Sequence, residues 1–116
     1  MKKTLLLSLL ITLFLSSFTA QMIPTSLKIS VRNELGTIES GVSVKLYASK
    51  EDYEKSANPV AAGKTDAKGN IFFQDLKQTT FYISAEKGDR NNFGAGEKIE
   101  NLELNKVNKV TLIISE

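Results

Sequence analysis

The 116-residue chain has no cysteine, no histidine and no tryptophan, and only two prolines. Without cysteine there is no disulfide, no thiolate metal site and no cysteine nucleophile, so packing and backbone pairing must hold the fold. Without histidine the chain lacks the commonest general base near neutral pH and the commonest metal ligand. The expectation is a non-enzymatic protein with no cofactor. An excess of one charge is also missing. The chain carries 15 Lys and Arg against 13 Asp and Glu, and two of those cations, Lys2 and Lys3, lie in the first twenty residues, which hold no acid. The remainder is 13 against 13. Counterion release from phosphates needs clustered positive charge, and no cluster stands out in the sequence, so nucleic acid is not an expected partner.

Long apolar runs are confined to the start. In "MKKTLLLSLLITLFLSSFTA" two lysines precede the apolar stretch Thr4 to Leu15, and small polar residues lead to Ala20. This is the layout of a secretory signal over 1–20. The stretch falls short of the roughly 20 residues a spanning helix needs. An exported protein is expected, periplasmic or extracellular, without a stable membrane span once the signal is cleaved. No cysteine follows the apolar run to carry a lipid.

What remains suits one domain and one core, with no internal repeat or low-complexity linker. Residues 21–26, "QMIPTS", read as a leader into a single domain over 27–116. Strict alternation marks the strands. Leu27, Ile29 and Val31 share a face, as do Val42, Val44 and Leu46, and Phe81, Ile83 and Ala85. Tyr47, Tyr82, Ser84 and Glu86 point the other way. Ser49 before Asp52 has the form of a helix cap, Glu51 and Lys55 are an i,i+4 pair, and Pro59 limits the helix. Two closing segments, "KIENLEL" and "KVTLIIS", complete an all-β, antiparallel Greek-key β-sandwich of about seven strands with one helical insertion over about 50–57.

"KTDAKGNIFFQDL" reads as a β-hairpin tip in which Asp66 accepts backbone N–H groups and Gly69 supplies a positive φ. A calcium loop needs oxygen ligands at alternate positions before a glycine; Lys68 stands where a ligand belongs, leaving only an irregular site from Asp66, Asn70 and Asp75. The carboxylate pairs Glu51/Asp52 and Glu100/Glu103 show no pocket signal around them. The loop "DRNNFG" is the candidate partner or ligand surface: Arg90, Asn91 and Asn92 bring donors and acceptors, and Phe93 an aromatic ring. The competing reading has the amides satisfying their own loop and Phe93 plugging the end of the core. Tyr47, Tyr53, Phe72 and Tyr82 could add an outward aromatic surface for sugar stacking.

The ordered set Gly41, Val42, Val44, Leu46, then Thr65, Asp66, Gly69, then Phe73, Leu76, Phe81, Ile83 resembles the prealbumin-like (transthyretin-like) sandwiches. Within that group it is similar to carboxypeptidase-regulatory-like domains and collagen-adhesin B-type repeats. The resemblance covers Leu27 to Ala85 well and the last strands by order and type. It implies an accessory or adhesive module that contacts protein or cell-envelope components. The isopeptide bond of the B-type repeats is not implied: Val31 stands at the lysine position, Ala85 at the acid position, and "TLIISE" offers no asparagine. The related hydrolase of purine breakdown relies on histidines and a Tyr-Arg-Gly-Ser tail, both missing. The alternative function is a small-ligand binder, for carbohydrate or calcium, using the 88–96 loop and the turn of Thr65, Asp66 and Gly69.

Overall fold

The alternation beginning at Ser26 becomes the first strand. A computed structural model of the chain describes residues 23–116; the signal expected over 1–20 and the first two leader residues lie outside the described residues. In order come β1 (Ser26–Asn33), β2 (Ser43–Tyr47), the helix α1 (Lys50–Lys55), β3 (Ala61–Lys64), β4 (Asn70–Phe73), β5 (Phe81–Lys87), β6 (Arg90–Asn91), β7 (Lys98–Ile99) and β8 (Val107–Ile114). They make two packed sheets. One has the order β4-β1-β8; in the other, β3, β2 and β5 are neighbours and both β6 and β7 pair with β5.

The apolar faces named by the alternation meet between the sheets. Leu27, Ile29 and Val31 of β1 pack with Val44 and Leu46 of β2, Ile83 and Ala85 of β5, and Leu112 and Ile114 of β8. Each large member contributes about 1.5–3 kcal/mol by leaving water. Val31 and Ala85 are both fully buried in this core. Among the described residues, the buried core runs from Leu27 to Ile114.

Most pairs are antiparallel, as expected, but β1 and β8 run parallel from Ser26–Val107 to Asn33–Ile114. Parallel neighbours need a crossover, and here nearly the whole domain lies between the two strands. The strand also starts inside the expected leader. Ser26 N–H donates to the Lys106 carbonyl at 3.0 Å, and the Thr25 carbonyl accepts from Leu76 N–H at 3.0 Å. The helix is shorter than 50–57. Ser49 Oγ accepts from Asp52 N–H at 3.2 Å, but Ser56 takes a φ of +50° and Asn58 of +56°, so helical geometry cannot continue.

The hairpin expected at 64–76 is instead a corner between sheets, because β3 pairs with β2 and β4 with β1. Asp66 Oδ1 accepts from Lys68 and Asn70 N–H at 2.9 and 3.0 Å, as the turn chemistry requires. The divergence follows from Thr65, which is buried. Its hydroxyl donates to the Glu39 carbonyl at 2.8 Å and accepts from Val42 N–H at 2.9 Å. Those bonds hold Thr65 to the five-stranded side, while Val31 N–H donates to the Gly69 carbonyl at 2.8 Å on the other.

Candidate functional site

After β5 come Arg90, Asn91 and Asn92, whose side chains are each held by hydrogen bonds, and then Phe93, whose ring is not. Arg90, the first residue of β6, points at Glu39, whose side chain is 9% exposed. Arg90 Nη1 lies 2.6 Å from Glu39 Oε1, Lys87 Nζ 3.0 Å from Oε2, and Asn33 Nδ2 donates to Oε1 at 3.1 Å. The Lys87 hydrogen bond first, then those from Arg90 and Asn33, hold the Glu39 pKa below its ordinary value against the opposing effect of burial. A carboxylate with its acceptor sites so occupied is a structural tie.

Asn91 joins the sheets. Its backbone exchanges two hydrogen bonds with Ser115, at 3.0 and 2.9 Å, and its Oδ1 accepts from Phe93 N–H at 2.9 Å. Asn92 turns inward and is 2% exposed. Its amide fills the gap between β6 and β7 along β5: Oδ1 accepts from Ala85 N–H at 2.9 Å and Nδ2 donates to the Ile83 carbonyl at 2.9 Å. One side-chain amide thus replaces the peptide that a continuous strand would have offered.

Phe93 has no such role. It is 81% exposed and does not plug the core. Of the four candidate residues, Arg90, Asn91 and Asn92 build the loop and Phe93 is presented by it. The loop's competing reading therefore divides: the amides do satisfy their own surroundings, and the aromatic is left for solvent.

Beside Phe93 the outer face of the five-stranded sheet forms a shallow cavity of about 240 Å³, lined by Tyr53, Glu54, Ser56, Ser84, Glu86 and Phe93. Tyr53 comes from α1, and its ring stands 5.8 Å from those of Tyr47 and Tyr82. Tyr47 does point away from the core, as its alternation requires, but α1 covers it and leaves it buried. Phe72 lies on the other sheet, so the aromatic surface is Tyr53, Tyr82 and Phe93, with Tyr47 buried beneath them. Burial, then the Glu97 carboxylate, raises the Tyr53 pKa, so its phenol stays a proton donor. Lys98 sits 5.8 Å from the Tyr82 ring and its pKa is raised by Glu100, 2.9 Å away, and by Tyr82.

The other sequence candidates lie apart. Asp66 faces its own turn, whose Asn70 and Lys68 N–H groups lower its pKa, and Asp75 pairs with Lys77. Among the described residues no three acidic side chains gather as metal ligands. Glu51 pairs with Lys55, and Glu103 with Lys106. Sequence reasoning missed Glu39, because its partners Lys87 and Arg90 are distant in the chain and meet it only through the fold. Compared with known proteins, the chain matches no family model and no curated protein sequence.

Proposed function

We propose that this chain is an exported, non-enzymatic β-sandwich module that contacts a protein or cell-envelope component through Phe93 and the groove beside it. The observation that carries the reading is a bare aromatic ring on a loop whose flanking residues are each held by hydrogen bonds. Immobilising the loop in advance removes ordering cost from binding, and aromatic anchors of this kind dominate contact energies. The groove is smaller than the roughly 300–1,000 Å³ of pockets for drug-sized ligands; it suits one partner side chain or one sugar ring. The resemblance to prealbumin-like modules supports an accessory role, and the apolar run at the start supports export. The missing imidazole and thiolate, with Glu39 fully engaged, support the non-enzymatic part.

The test is retention of envelope components on the immobilised protein. Phe93→Ala is expected to lower retention by about tenfold or more, a truncation cost above 1 kcal/mol, with thermal unfolding unchanged. Equal retention by both proteins would refute the reading. A carbohydrate ligand is the second reading, favoured by Tyr53 and Phe93 beside the Glu54 and Glu86 carboxylates. A sugar at about 100 times its Kd should add about 2.7 kcal/mol of stability, so a flat thermal-shift panel of glycans at that excess leaves the protein-partner reading alone.

A further inference from the structure

On the opposite face of the sandwich, the outward positions of β1, β4 and β8 carry cations, apolar groups and neutral polar groups, and no acid. Strand pairing arranges them in two rows. Lys28 lies directly opposite Phe72 on one side and Lys109 on the other. Arg32 lies opposite Ile38 and Ile113. The sequence shows no positive cluster because Lys109 reaches Lys28 only through the parallel pairing of the first and last strands. Like charges directly opposite on neighbouring strands are destabilising. Among the described residues Lys28, Arg32 and Lys109 make no ion pair. Asp66 borders the face near Lys28 and Phe72, but its carboxylate serves its own turn.

Four large apolar side chains stand among these cations. Ile38, Phe72, Val107 and Ile113 are each 40–46% exposed. Separate cations or separate apolar residues on a surface are ordinary; both kinds alternating on one sheet face, with no acid in its strands, are not.

We infer that this face docks on an anionic lipid surface. The lysines and Arg32 meet negative headgroups, while Phe72, Ile38 and Ile113 enter the apolar boundary beneath them. A polyanion with no apolar phase, such as nucleic acid or an acidic polysaccharide, uses the cations and leaves those four side chains in water. The charge and the apolar groups together select lipid. The face is separate from the Phe93 groove and acts whether or not the groove has a partner.

The experiment is sedimentation of the 21–116 chain, the form that the proposed export leaves, with vesicles of neutral phosphatidylcholine or of the same lipid containing about 30 mol% phosphatidylglycerol. Anionic vesicles are expected to bind at least about tenfold more tightly than neutral ones, with the difference lost near 1 M salt, where screening is about 3 Å. Lys28→Glu with Lys109→Glu is expected to abolish the preference, and Lys28→Arg with Lys109→Arg to keep it. Phe72→Ser should weaken binding at low salt, and Phe93→Ala should leave it unchanged. Equal binding to both vesicle types, or an unchanged preference in a folded double-Glu variant, overturns the proposal. So does tight binding to heparin or DNA with none to anionic vesicles.

Discussion

At the scale of single residues, Asn92 and Glu39 hold the loop in place, and each makes a separable prediction. Asn92→Ala leaves the Ala85 N–H and the Ile83 carbonyl unpaired in a buried place, a cost of about 1–3 kcal/mol. For a domain of this size that lowers Tm by roughly 4–8 °C per kcal/mol. Asn92→Asp keeps the acceptor and loses the donor, and belongs between the two. An Asn92→Ala protein melting with the wild type would contradict the strand-completing role. Glu39 sets a pH dependence. Its folded pKa lies below its ordinary value of 4.5, so its stabilising effect is present above that pH and is lost as pH falls through the folded pKa. Asp66, also depressed, acts in the same direction. Glu39→Gln is expected to lower Tm at pH 7 and to flatten the fall in Tm toward pH 3; a wild-type acid limb in the variant would show that the tie to Lys87 and Arg90 is not formed. The sequence could mark these side chains as polar. It could not give their partners, since a loop amide looks alike whether it faces solvent or β5.

At the scale of elements, the corner between β3 and β4 explains why turn chemistry alone misplaced a connection. Thr65, Asp66 and Gly69 were legible as a turn, and the Asp66 bonds and the Gly69 φ of +76° have that local origin. Whether the flanking strands pair with each other depends on Thr65 and on Gly69 nearing Val31, which are tertiary contacts. A Cβ on Gly69 falls 2.4 Å from Ile38 Cγ2 and 3.0 Å from the Val31 carbonyl oxygen; Gly88, also at positive φ, has nothing within 4 Å. Gly88→Ala is therefore expected to cost about 1 kcal/mol from backbone strain alone. Gly69→Ala adds overlap and belongs nearer 2–4 kcal/mol. Denaturant unfolding of the two proteins measures the gap, and equal midpoints would contradict the close-approach argument. The strands themselves were readable because the alternation in β1, β2 and β5 coincides with burial. The edges β6 and β7 are two residues each, too short for any period to show.

At the scale of the whole molecule, the sandwich separates two kinds of surface. The five-stranded sheet presents Tyr53, Tyr82, α1 and the Phe93 loop, and the three-stranded sheet presents the rows of Lys28 and Arg32. Among the described residues no helix is long and apolar enough to cross a membrane. The two-sheet architecture was legible from alternation and turn spacing, whereas the pairing of β1 with β8, and with it the basic face, was not. The most direct test of the contact role is photo-crosslinking in cells producing the full chain, with a benzophenone-bearing phenylalanine at position 93. Leu104, 61% exposed and just before β8 at the end far from Ser115, is the control position. The account expects a discrete adduct from position 93 and none of the same mass from position 104. The same adduct from both positions, or none from position 93 in a folded protein, would contradict it.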